Sequence, residues 1–206
     1  ELATSQFINN EIKKQDQKTF SMKKNKIAIL LPFKDHFTNT NAGSASIWVK
    51  DFNLHSIYKN NITIFGNTPS LKNLISKNNY KNLPLKNLSL GGKNISYVDE
   101  FIKYYMKNDY QLIEVHNRPS YIIQILKKKI ISKIVLIFHN NPLSLGGSKT
   151  LEERVFLLKN CHKLIFVSNW VKEKFFEGFD KKNHTKCEVI YPSIDPIKKF
   201  PKKKKI

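Results

Sequence analysis

Apolar positions along the chain fall into short, nearly unbroken runs that alternate with longer stretches of helical spacing. Residues 26–33 (K-I-A-I-L-L-P-F), 134–138 (I-V-L-I-F) and 163–167 (K-L-I-F-V) are continuous and rich in β-branched side chains. Such runs predict strands of a parallel sheet covered on both faces. Shorter runs at 61–65, 112–115 and 187–190 predict three more strands. Ile47, Trp48, Phe52, Leu54 and Tyr58 recur at helix-face spacings and predict a helix over 44–58, which Ser44 or Ser46 can cap. Helical patterns also cover 97–107, 121–129 and 150–160, and one runs from Asn169 to a stop at Gly178. Thr150-Leu-Glu-Glu is a T-x-x-E capping box, and Ser168 is placed to cap the helix that follows it. Strands alternate with helices, so the expected fold is α/β: a Rossmann-like, mostly parallel sheet with right-handed crossovers and helices on both faces.

Residues 68–92 break this rhythm with Pro69, Pro84 and the pair Gly91-Gly92, while lysines 72, 77, 81, 86 and 93 alternate with leucines. A solvated loop is the plain reading of that stretch, and a basic surface for anionic lipid the sharper one. Residues 1–25 are polar and read as a disordered arm, and the lysine-rich 197–206 reads as a linker. That leaves 26–196 as one domain, which suits 206 residues and 24.1 kDa.

The formal charge of +20 suggests phosphate-bearing partners: nucleic acid, anionic lipid or a nucleotide. The excess is almost all lysine, travelling with asparagine and isoleucine, so codon bias explains it equally well. Readers of nucleic acid favour arginine, and this chain has only Arg118 and Arg154. Cys161 and Cys187 stand far apart without metal-ligand or C-x-x-C spacing, which fits reduced thiols in a cytoplasm. No apolar run reaches membrane-spanning length and the first 25 residues lack a signal-peptide core, so a membrane would be met from its surface.

Candidate chemistry collects where strands end, because ligands of open α/β sheets sit beyond the carboxyl ends of the strands. His139 follows the run 134–138 at once and leads into Asn140, Asn141 and Pro142. His116, Asn117 and Arg118 follow the strand at 112–115 in the same way. After the first strand comes a polar loop ending at Gly43 and Ser44, where a glycine permits close backbone approach and a helix start offers unpaired N–H groups to an anion. Each has a plainer alternative, a surface histidine or an ordinary strand-to-helix turn. The G-x-G-x-x-G fingerprint is absent, which counts against nicotinamide and flavin enzymes and against a nucleotide-binding epimerase. No Asp-x-Asp or ligand cluster occurs, so no metal is expected.

Five segments in this order carry a family resemblance: Asn41-Ala-Gly-Ser44, Glu114-Val-His-Asn-Arg-Pro119, Ile137-Phe-His-Asn140, Leu164-Ile-Phe-Val-Ser-Asn-Trp170 and Val189-Ile-Tyr-Pro-Ser-Ile-Asp195. The chain resembles the N-terminal, acceptor-side half of a GT-B fold, family 4 retaining glycosyltransferase over roughly 26–201. The run from His139 to Arg154 looks most like members that build lipopolysaccharide core or related surface glycans. In the last segment Pro192-Ser193 stands where the family usually has asparagine-glycine.

The resemblance implies transfer of a sugar from a nucleotide-sugar to a glycan or glycolipid acceptor, without metal or other cofactor. By the same resemblance His139 is the catalytic-site histidine, bonding a hydroxyl of the donor sugar. Gly43, Ser44 and Asn140 are implied donor contacts, the first of them near the pyrophosphate, and His116, Asn117 and Arg118 acceptor contacts. The family's second domain, with its acidic E-x7-E motif, is expected just beyond Pro201, whereas the sequence stops at Ile206. The implied protein is an incomplete enzyme, inactive alone, cytoplasmic and possibly peripheral at the inner face of the cytoplasmic membrane. The rival reading is a basic binding module for nucleic acid or an anionic membrane surface, supported by the net charge and the lysine tail.

Overall fold

The computed structural model describes residues 26–85 and 92–192. The N-terminal arm at 1–25, Gly91, the exit-turn residues Ser193 to Asp195 and the linker at 197–206 lie outside the described residues. β1 (Ile27–Leu30), β2 (Ile62–Gly66), β3 (Tyr80–Asn82), β4 (Leu112–His116), β5 (Lys133–Phe138), β6 (Lys163–Phe166) and β7 (Cys187–Val189) form one sheet of order β3-β2-β1-β4-β5-β6-β7. Every pairing in it is parallel. The helices are α1 (Ser44–His55), α2 (Lys93–Tyr105), α3 (Pro119–Lys127), α4 (Leu151–Asn160) and α5 (Asn169–Phe175).

Chain order reverses between β1 and β4, and right-handed crossovers therefore put helices on opposite faces of the sheet. Ala45 and Val49 of α1 pack with Ile29, Leu31, Ile62 and Ile64 on one face. The larger core joins Tyr97, Phe101, Ile122, Leu157 and Phe175 from the other four helices to Leu30, Ile113, Val115, Leu136, Phe138 and Phe166. Side chains alternate across each strand, so Glu114 and His116 point to the face opposite Ile113 and Val115. Below the sheet edge, Phe138 stacks on Phe166 at 5.4 Å and meets Phe175 at 5.5 Å. Such aromatic pairs add roughly 0.5–1.5 kcal/mol each beyond area burial, anchoring the end of β5 just before His139.

The expected strands and helices are present, with shifted ends. Pro119 opens α3 because a missing N–H costs nothing at the first helical position. The capping box forms at Thr150 and Glu153, and the Val171 N–H donates to Ser168 Oγ. Two expectations are corrected. Residues 68–92 are not wholly irregular: Tyr80–Asn82 adds an edge strand paired to Ile64, Phe65 and Gly66. That strand has no apolar run, because it draws on ladder hydrogen bonds and on polar contacts such as Thr68 Oγ1 with the Tyr80 hydroxyl at 2.7 Å. Nor does a serine cap α1. Its cap residue is Gly43, and Ser46 Oγ is buried without a partner.

Candidate functional site

β4 and β5 run side by side with Glu114 opposite Val135 and His116 opposite Ile137, which brings the next loop residue, His139, over His116. The rings lie 5.2 Å apart and stack at 29°. His116 Nδ1 is 2.9 Å from His139 Nε2, and His116 Nε2 is 2.6 Å from Glu114 Oε1. A carboxylate can only accept, so His116 Nε2 carries a proton. The indole of Trp48 on α1 meets the His139 ring edge-to-face at 5.6 Å. Burial first, and the neighbouring His116 second, hold the His139 imidazole down to about 3, so the ring is uncharged at neutral pH.

His139 lines a cavity of about 670 Å³ with Ser44, Trp48, Asp51 and Phe52 from α1 and with Val167, Ile190 and Pro192 from the ends of β6 and β7. A polar group on a mostly apolar wall can orient a ligand, while the aromatic and aliphatic surface excludes water around it. The sheet thus brings His139 and Ser44 to one cleft. Asn140 sits exposed at the same loop, its N–H donating to Asn117 Oδ1 at 3.2 Å.

At Gly43, the implied donor contact, the structure brings in a residue that the sequence did not single out. The Gly43 N–H donates to Asp35 Oδ1 at 2.8 Å and the Ser46 N–H to Asp35 Oδ2 at 3.3 Å. The carboxylate takes two of the amides at this helix start and sets a negative charge beside it.

The implied acceptor triplet is also redistributed. His116 has no exposed surface and cannot touch an acceptor. Asn117 is buried, holds the left-handed backbone value φ 51°, and accepts the His139 and Asn140 N–H groups on its side-chain oxygen. It shapes the loop that carries His139. Of the three, Arg118 alone is half-exposed, donating from Nη1 to the Asn117 carbonyl at 2.8 Å. It lines a separate cavity of about 580 Å³ together with Lys34, Lys93 and Ser144.

The sequence alone does not single out Glu114, although Glu-x-His on a strand places both side chains on one face. In the sequence Trp48 reads only as part of a helix face, and nothing local ties Asp35 to a turn eight residues on. Among the described residues no group of three or more His, Cys, Asp or Glu side chains is placed to hold a metal ion. No helix among them is long and apolar enough to cross a membrane.

An open parallel sheet with helices on both faces and a histidine-walled cleft at its carboxyl edge defines a Rossmann-like α/β domain. Residues 58–198 match the family model described as Glycosyltransferase Family 4, and the chain belongs to that family. Solved structures of the same fold include sucrose-phosphate synthase from Thermosynechococcus elongatus, with TM-score 0.55 and 13% identity over 81% of this chain and 48% of that one. Anabaena HepE in complex with UDP and glucose is similar with TM-score 0.56 and 12% identity, over 83% of this chain and 45% of that chain. HepE in complex with UDP-glucose gives TM-score 0.55 and 12% identity over 82% and 44%. The chain thus spans about half the length of the solved structures it matches. No curated protein matches it.

Proposed function

We propose that residues 26–196 form the acceptor-side domain of a retaining glycosyltransferase that uses a nucleotide-sugar donor. The observation that carries this reading is His139: an uncharged imidazole in the wall of the cleft, held from behind by His116 and faced by Trp48. Glycosyl transfer builds positive charge at the anomeric carbon and negative charge on the departing phosphate, and fixed dipoles aimed at the reacting sugar lower that barrier. A neutral ring suits a hydroxyl contact better than general-base work, because a group titrating near 3 takes up a proton poorly at pH 7. The family's fold supports the nucleotide-sugar class of donor, and HepE has been solved with UDP-glucose.

In this reading a second domain supplies the donor nucleotide site, residues 197–206 begin the linker to it, and the first domain alone does not turn over. No metal is assigned a role. The glycan under construction is lipopolysaccharide or another surface glycan, its glycolipid acceptor reached from the cytoplasmic side of the membrane. Ser44 and Asn140 stay as rim contacts to the donor, and Arg118, in its cationic cavity, stays as an acceptor contact. The test is release of nucleoside diphosphate by the intact gene product from a panel of UDP-, GDP-, ADP- and dTDP-sugars with glycolipid extracts as acceptor. Turnover of at least one donor is expected, and no turnover of any would overturn the assignment.

A further inference from the structure

Two hydrogen bonds run in series behind the cleft, from Glu114 Oε1 to His116 Nε2 and from His116 Nδ1 to His139 Nε2. We propose that Glu114 and His116 are positioning residues that hold the His139 proton on Nε2, leaving its Nδ1 lone pair as the cleft's hydrogen-bond acceptor for a ligand hydroxyl. The argument follows the protons. Glu114 accepts, so the His116 proton on that side sits on Nε2; an uncharged His116 then has only a lone pair at Nδ1. His139 Nε2 must therefore be the donor of the 2.9 Å bond, and its other nitrogen is bare.

The uncharged relay needs one buried charge, a carboxylate whose side chain keeps 11% of its surface in water. A charged His116 would instead donate from both nitrogens, make His139 Nε2 the acceptor and put the His139 proton on Nδ1, the outcome that overturns the proposal. The low titration of His139 agrees with a ring that stays neutral. Asn117 sets the backbone of the same loop by accepting from the His139 and Asn140 amides, so ring and main chain are both fixed before a ligand arrives. The functional half of the inference, a sugar hydroxyl as the donor to Nδ1, rests on the glycosyltransferase reading; the relay does not.

The experiment is long-range 1H–15N NMR of the histidine rings in this chain at pH 7, which separates Nδ1–H, Nε2–H and charged forms. Wild type is expected to show both His116 and His139 as Nε2–H tautomers. In Glu114→Leu the His116 Nε2–H loses its acceptor, so the proton moves to Nδ1, donates to His139 Nε2 and drives the His139 proton to Nδ1. Glu114→Gln, which keeps an acceptor oxygen, restores the wild-type pattern. A charged or Nδ1–H His139 in the wild type overturns the proposal, and so does an unchanged His139 in folded Glu114→Leu. Because the wild-type spectrum alone decides the tautomer, a variant that fails to fold does not rescue the idea. The expected tautomers in a protein that uses no nucleotide-sugar would overturn the sugar reading and support the relay.

Discussion

His139 is where residue chemistry has the sharpest consequence. Its titration near 3, against about 6.5 in an unfolded chain, makes the unfolded state the better proton binder between those pH values. Folding stability therefore rises with pH across that window and falls on acidification, by at most ~1.4 kcal/mol per pH unit from this one group. His139→Gln removes the group and is expected to flatten the dependence of the urea midpoint between pH 4 and pH 6. An unchanged slope would contradict the buried, neutral ring. Asp35 is a second residue with a measurable role, since its carboxylate closes the start of α1. Asp35→Ala should lower stability by about 1 kcal/mol, as loss of a helix cap does, read from the same denaturation midpoint. No stability change would mean that water replaces the carboxylate at no cost. A Cβ added at Gly43 would lie 2.8 Å from the Asp35 carboxyl carbon, so Gly43 is small because a side chain packs on it.

At the scale of elements, the buried strands β1, β5 and β6 were legible because both faces are covered and their apolar runs are unbroken. The capping box at Thr150 and the cap at Ser168 were legible because caps depend on local side-chain chemistry. The edge strand at Tyr80 was not, because half-exposed strands need no apolar pattern. The site was legible by position only. Strand ends located His139 and His116, yet which of them faces a ligand depends on depth beneath the loop, which residue order does not encode. Asp35 and Gly43 meet through a fold of the polar loop that no periodicity marks. Gly147 offers a test of how tightly the loop after β5 is set. Its backbone lies at φ +90° and an added Cβ would fall 2.6 Å from the Ser120 nitrogen, while the Ser120 N–H donates to the Gly146 carbonyl. Gly147→Ala is therefore expected to cost at least ~1 kcal/mol and to loosen the segment between His139 and α4, visible as faster amide exchange there. Wild-type stability and exchange would show the loop to be free of that strain.

At the scale of the whole molecule, seven parallel strands among the described residues place the ends of β1, β4, β5, β6 and β7 along one rim, and both cavities open from it. The charge of +20 is spread along the chain: among the described residues Arg118, Lys34 and Lys93 gather around one cavity, and Lys59 and Lys81 line another of about 650 Å³. Nucleic-acid retention should accordingly be non-specific and fall by orders of magnitude between about 50 and 200 mM salt, measured on a labelled duplex. Tight, sequence-selective binding at physiological salt would favour the basic-module reading instead. The central claim is that the rim at His139 seats the reacting sugar. It is tested most directly by comparing sugar transfer in the intact gene product and its folded His139→Ala variant under saturating donor and acceptor. A fall in kcat of about 100-fold or more is expected, the scale of losing a positioned polar group beside the reacting centre; turnover equal to wild type would contradict the account.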